Sequence, residues 1–364
     1  MPRPRSQAPT QAVVASTAGV SVPTVSKALR GDPTISSRTR ERVLAAARQL
    51  GYPIRAFSPP QSSSESDAAD VPTSEVPDRQ VHVAVLFETV DNAYAPEVLN
   101  GMLAAAAELE IIIHVDEIGA PTHPSGPRSP ERTMELAARA ASSADGLILA
   151  TTPCSAELFQ YCSARSVPIV SIDPACAPPE GLAALSATNW RGGVQATRHL
   201  LELGHRRIGA VSGPSTSVPS VERLAGYRSA LAEAGVVFDP ELVVSGRYTY
   251  DAGLEGAATL LGRPEPPTAI FALSDSIAFG VMAYAHEQGL VIPDQLSLIG
   301  FDNTAPARLV SPGLTVIHQP LRDMGREAVE LVKRAIDGGY VPGRPVELQT
   351  SLVQRGSTAP PAIL

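Results

Sequence analysis

Little in this chain points to covalent or metal chemistry. Its 364 residues include only three cysteines, Cys154, Cys162 and Cys176. Their spacing fits no metal-ligand pattern, and any disulfide scheme leaves one over, so reduced thiols are expected. Walker A loops, G-x-S-x-G elbows and H-E-x-x-H helices are all missing, which removes the commonest nucleotidase, esterase and zinc-protease layouts. The seven histidines are scattered singly. Such residues are more often structural than catalytic, and His205 in "LGHRRIG" is expected to belong to a basic cluster facing the carbonyls at a helix end. No run of about 18 apolar residues occurs, and the opening "MPRPRSQAPT" lacks the apolar stretch of a signal peptide. The expectation is a cytoplasmic, non-enzymatic protein with no cofactor, no metal and no membrane partner. Lysine is scarce too, only Lys27 and Lys333, which reflects GC-rich coding more than chemistry.

What is present is charge asymmetry. The net charge is −8, which argues against general affinity for nucleic acid, yet residues 1–57 carry nine Lys/Arg against Asp32 and Glu41, a local +7. The other 307 residues then sum to −15. A basic head on an acidic body suits a polyanion-binding module joined to something that should not bind polyanions.

Within the head, three helices fit residues 10–50. The first starts at Thr10, buries Val14, Ala15 and Ala18, and stops at Gly19. The second lies in "GVSVPTVSKALRG": Ser21 can cap it, Pro23 is tolerated in the first turn, and Gly31 ends it. Its inward face is Val25, Ala28 and Leu29, leaving Val22, Pro23, Ser26, Lys27 and Arg30 outward. The third begins at Ser36 or Ser37 and buries Val43, Leu44, Ala47 and Leu50. Together they describe a helix-turn-helix. From 58 to 80 the composition turns to Pro, Ser and acidic residues, "SPPQSSSESDAADVPTSEVPDRQ", which predicts a disordered linker.

Beyond it, apolar strands alternate with helices. Strands are predicted at 81–87, 144–150, 167–173, 206–213, 268–275 and 296–302. Helices are predicted at 95–109, 131–142, 191–203, 220–234, 251–262, 276–288 and 321–336. This alternation implies an α/β core of two doubly wound parallel sheets, with a ligand at the carboxyl ends of the strands between two lobes. Asp173, Asp275 and Asp302 sit at such ends. With Arg223 they could be an acid/base set, or could equally hydrogen-bond sugar hydroxyls. Asp275 would also serve as a cap for the helix from Ser276.

These residues carry a resemblance. "AGVSVPTVSKALRG", "TRERVLAAARQLGY", "VPIVSID", "HLLELGHRRIGAVSG", "ERLAGYRSAL", "PTAIFALSD", "QLSLIGFDN" and "LTVIHQPLRDMGREAVELV" resemble, in order, the lactose-repressor (LacI/GalR) family of bacterial transcription regulators. The resemblance covers nearly the whole chain apart from the linker and tail. It implies an all-α DNA-binding head (1–57), a hinge within the linker (58–80), and a periplasmic-binding-protein-like core (81–364) that dimerises and changes operator affinity when a small effector, usually a sugar, closes the lobes. A nucleobase-type co-repressor is the second possibility within that class, and a sugar-binding protein with an incidental basic head is the rival outside it.

In the family pattern the helix from Val22 to Arg30 lies in the major groove. Val22 and Pro23 take the leading specificity positions, where apolar groups can touch a thymine methyl. Lys27 is placed to donate to guanine, and Ser21, Thr24, Ser26 and Arg30 suit phosphates. For the effector, the resemblance implies Tyr94, Asp173, Arg223, Tyr248, Ser274, Asp275 and Asp302, with Tyr248 as a stacking platform. The chain departs from the family at Val13, where an acidic residue is usual. It departs again in "GYPIRAFSPPQSSS", which lacks the hinge's Ala-Arg pair and wedge Leu. Pro59 and Pro60 would break a hinge helix, and Phe57 is the one candidate wedge, though ordinary packing suits it better. Thr188-Asn189 replaces the usual Asp-Asn, and Trp190, the only tryptophan, is expected to pack between lobes.

Overall fold

The computed structural model describes residues 11–29, 80–119, 130–339 and 345–362, with isolated positions between 35 and 47 and at 343. The linker at 58–79, the hinge residues Phe57, Pro59 and Pro60, Arg30, and most of the third head helix lie outside the described residues. The chain divides into two compact units, Met1–Val76 and Pro77–Leu364.

In the first unit, helix α1 spans Gln11–Ala18 and α2 spans Val22–Leu29. Gly19 ends α1 at φ +62°, the left-handed conformation a helix stop needs. Ser21 then starts α2 by accepting the Thr24 N–H at 3.3 Å. Val14, Ala15, Ala18, Val25 and Ala28 form a small core with Val43, Ala46 and Ala47 of a third helical segment. That segment is opened by Ser36, whose Oγ accepts the Thr39 N–H at 3.3 Å. Arg42 donates to the Ala18 carbonyl at 2.6 Å, so one of the head's arginines serves the fold by closing the end of α1.

The second unit holds two six-stranded sheets. In spatial order the first is Val346–Leu348 (β11), Ala183–Ala187 (β5), Ile169–Ile172 (β4), Gly146–Ala150 (β3), Val81–Phe87 (β1) and Ile111–Glu117 (β2), all parallel. The second is Ser351–Val353 (β12), Thr315–His318 (β10), Ser297–Asp302 (β9), Ala269–Ala272 (β8), Ile208–Ser212 (β6) and Val243–Ser245 (β7), parallel except for β10 against β12. The central strands are buried on both faces, as expected where helices cover a parallel sheet. Helices Tyr94–Glu108 (α3), Pro130–Ser143 (α4), Ala156–Ala164 (α5) and Leu321–Ile336 (α10) belong to the first lobe. Asn189–Glu202 (α6), Val218–Glu233 (α7), Tyr250–Leu261 (α8) and Asp275–Glu287 (α9) belong to the second.

The chain passes between lobes three times, from β5 into α6, from β10 into α10, and from β11 into β12. Two of these crossings are tied together: Thr188 and Thr350 share a hydroxyl hydrogen bond of 2.9 Å, and the Thr350 N–H donates to Thr188 Oγ1 at 3.0 Å.

Candidate ligand cleft and nucleic-acid interface

Each sheet presents an acid at the carboxyl end of a strand that neighbours its centre. Asp173 follows β4 at φ +45°, and Asp302 closes β9 at φ +109°. Such backbone is uncommon for a residue with a side chain and costs about 1–3 kcal/mol per position, so the surrounding contacts must hold it.

Those contacts form one chain of hydrogen bonds closed by an ion pair. Tyr94, at the start of α3, donates its phenol to Asp173 Oδ2 at 2.8 Å, and Ser186, near the end of β5, donates to Asp173 Oδ1 at 2.7 Å. Asn189, the first residue of α6, donates to Ser186 Oγ at 2.9 Å and accepts from Arg223 Nε at 2.8 Å. Arg223 Nη1 donates to the Leu273 carbonyl at 2.6 Å and lies 3.6 Å from Asp302 Oδ1, an ion pair rather than a hydrogen bond. Gln319, at the second crossing, donates to that same Oδ1 at 2.6 Å. The chain therefore runs from Tyr94 in the first lobe to Asp302 and Gln319 in the second.

Arg223 is placed by close packing of helices. A Cβ on Gly193 would lie 2.2 Å from the Arg223 carbonyl oxygen, so α6 and α7 touch backbone to backbone there. The guanidinium rests 3.7 Å from the centre of the Phe301 ring, a cation–π contact.

Burial dominates the electrostatics. Asp173, Asp302 and Arg223 are 4%, 6% and 3% exposed. Loss of solvation pushes the Asp173 carboxyl up, against the pull of Arg223, Ser186 and Tyr94. Asp302 is pushed up to about 6 by burial, with Asp173 adding repulsion and Arg223 and Gln319 opposing. The Tyr94 phenol is raised well above its usual range by burial first and by Asp173 second.

The structure brings Tyr94, Asp173, Arg223 and Asp302 together. Tyr248 stands apart from the chain, its guanidinium-to-ring distance to Arg223 being 5.9 Å. Its ring covers Gly213, where a Cβ would meet Cζ at 2.3 Å, and its buried hydroxyl sits beside Ser217 and Ser220 without completing a hydrogen bond. The side chains of Ser274 and Asp275 take no part in that chain. The cap expected of Asp275 is made by Ser274, whose Oγ accepts the Ile277 N–H at 3.3 Å, because α9 begins one residue earlier than predicted. Asp275 instead accepts from the Thr304 N–H and hydroxyl at 2.7 and 2.8 Å and presents its own N–H to Asp302.

Two other expectations are corrected. Trp190 is 46% exposed rather than packed away. His205 is buried and bridges the Thr268 hydroxyl (2.8 Å) and the Ala359 carbonyl (2.9 Å), with burial holding its pKa down. It is a buried clamp, and Arg206 is the residue that reaches a helix-end carbonyl, Leu201 O, at 3.0 Å. Among the described residues no group of three or more His, Cys, Asp or Glu could hold a metal, and no helix is long and apolar enough to cross a membrane.

In the head, Val22 is 42% exposed and Lys27 is exposed, while Thr24 is half-buried. Ser21 is exposed, yet its hydroxyl is engaged by both the N–H and the hydroxyl of Thr24. The Pro23 and Ser26 side chains and the whole of Arg30 fall outside the described residues.

The family model for bacterial regulatory proteins, lacI family, matches residues 13–53, and the model for a periplasmic binding protein-like domain matches residues 197–358. The chain is 31% identical over 347 residues to the HTH-type transcriptional repressor CytR of Escherichia coli (strain K12), covering 95% of each. It is 31% identical over 355 residues to the HTH-type transcriptional regulator CelR of Thermobifida fusca, covering 97% of this chain and 99% of the relative. Among solved structures, a transcriptional regulator CelR–cellobiose complex is similar at a TM-score of 0.69 and 30% identity, covering 96% of this chain and 99% of that one.

Proposed function

Because the chain belongs to the LacI family of bacterial transcription regulators, we propose that it is a homodimeric repressor whose operator affinity is set by a sugar bound between the two core lobes. The observation that carries this reading is the buried chain from Tyr94 through Asp173, Ser186, Asn189 and Arg223 to Asp302 and Gln319. A ligand that competes for these partners contacts both lobes at once, and only a ligand with different affinity for two lobe arrangements can shift their balance. Carboxylates, amides and a guanidinium suit hydroxyl groups, each of which both donates and accepts. The sugar named in the similar solved complex supports the same class.

For the head, α2 is the element read into the major groove, with Val22 and Lys27 outward. A two-fold dimer implies an imperfect palindrome with half-sites about 10 bp apart. The test is binding of the full chain to DNA from upstream of its own gene, with and without cellobiose, D-ribose and D-glucose. A sugar that changes operator affinity by about tenfold, worth about 1.4 kcal/mol, is the expected result. Operator binding that none of a broad panel of sugars alters would overturn the effector assignment.

A further inference from the structure

We infer that the cleft selects ligands without negative charge and turns away phosphorylated or carboxylated forms of the same polyol. This rests on the reading of the interlobe cluster as the ligand site.

Proteins hold phosphate and carboxylate best with an arginine fork, two parallel N–H groups on one anion. Arg223 is the one buried cation of the cluster, and its fork is engaged. Nε is bonded to Asn189 Oδ1 at 2.8 Å, and Nη1 to the Leu273 carbonyl at 2.6 Å. Only Nη2 has no acceptor among the described residues. The side-on fork of Nε and Nη2 is thereby closed to an anion, and the end-on fork of Nη1 and Nη2 would have to compete with the Leu273 carbonyl and with Asp302.

The surrounding charge points the same way. Asp173, Asp275 and Asp302 are buried, and Glu222 approaches Asn189 Nδ2 at 3.3 Å. Burial is the first cause raising the pKa of all four acids, so a site that already disfavours its own ionised carboxyls also disfavours a further buried anion. Arg355, the cation acting on Asp275, is tied to the Leu314 carbonyl and to Asn303 Oδ1. An incoming anion meets like charge, and the cations at these strand ends are already engaged: Arg355 as above, and Arg247, beyond the end of β7, with Glu88 at 3.6 Å.

The unfilled positions also ask for donors. Gln319 Oε1 is buried with no partner, while its Nε2 is held by Asp302. Turning the amide over would set oxygen against the ionised carboxylate, so Oε1 remains an acceptor in need of a hydrogen. A hydroxyl brings one. An ionised phosphate or carboxylate group set at this position does not.

The experiment is calorimetric titration of the full chain at constant ionic strength with matched pairs: cellobiose and cellobionate, D-ribose and ribose 5-phosphate, D-glucose and glucose 6-phosphate. The uncharged member of any pair that binds should do so at least about tenfold more tightly. An anionic member that binds as well as, or better than, its uncharged partner overturns the inference. Asp302→Asn removes one carboxylate with little change of shape and should narrow the ratio; a ratio that does not move overturns the electrostatic cause. If wild type prefers uncharged members but Arg223→Ala binds them unchanged, the interlobe reading fails, and with it the assignment of the preference to this cleft.

Discussion

Removing the Arg223 guanidinium would leave Asn189 Oδ1, the Leu273 carbonyl and the Asp302 carboxylate each short of a partner in a buried site. Breaking one side of a buried pair costs about 3–5 kcal/mol because the other charge stays behind. Arg223→Ala should therefore lower core stability in chemical denaturation and weaken sugar binding by about tenfold or more. Lys cannot reproduce two directed N–H bonds, so Arg223→Lys should not restore binding. Acid dependence follows from the neighbouring carboxyls. The folded chain keeps the Asp302 proton up to about 6, whereas an unfolded aspartate releases it near about 3.9. Between those values the folded state binds more protons, so this group's contribution to stability falls as pH rises through the window and is level above it. The raised Asp173 acts in the same sense. Denaturation midpoints from pH 4 to 7 should show Asp302→Asn gaining on wild type as pH rises. A constant difference would mean that Asp302 ionises normally.

At the scale of elements, α2 carries two separable roles. Ser21 starts the helix, so Ser21→Ala should cost about 1 kcal/mol of head stability whether or not DNA is present. Lys27 has no such role; Lys27→Ala should relax discrimination at one base position per half-site at about 1–3 kcal/mol. Equal weakening on every operator variant would make Lys27 a phosphate contact. Most elements with a continuous apolar run are legible in the sequence, β1, β3, β8 and β9 among them. β10, with its buried run at 315–317, and α5 escaped although nothing in their composition hides them; the others that escaped have physical reasons. β5 reads "AALSA", buried but poor in the branched and aromatic residues that mark strands. β2 is an edge strand whose outer half, from His114 to Glu117, is exposed. β7, β11 and β12 are three residues each, too short for a period to show. The cleft divides similarly. Tyr94, Asp173, Arg223 and Asp302 stand in recognisable segments or at strand ends. Ser186 and Gln319 matter through bonds to aspartates 13 and 17 residues away, and only the fold creates those pairs. Asn189 was in view within "ATNWRGG", but its partner lies 34 residues on, in α7.

For the whole molecule, the three crossings near Thr188, Gln319 and Thr350 must absorb any movement of one lobe against the other, because no other backbone joins the sheets. Thr350 Oγ1 meets Thr188 Oγ1 at 2.9 Å and the Thr188 carbonyl at 3.3 Å, outside the cleft chain. Thr350→Val keeps the branched shape and the backbone bond to Thr188 while deleting a hydroxyl whose net worth is about 0.5–1.5 kcal/mol. If the two lobe arrangements use that hydroxyl differently, the variant changes their balance without touching a cleft residue. The readout is a pair of ratios on the full chain: operator affinity with and without saturating sugar, and sugar affinity with and without operator. Linkage requires the two ratios to be equal in any one protein, since both measure the same coupling free energy. Wild type and Thr350→Val should each satisfy that equality, yet differ from one another by about twofold or more, within the range the lost bond allows. Equal ratios in the two proteins would show that the tie between Thr188 and Thr350 holds the crossings together and takes no part in the switch.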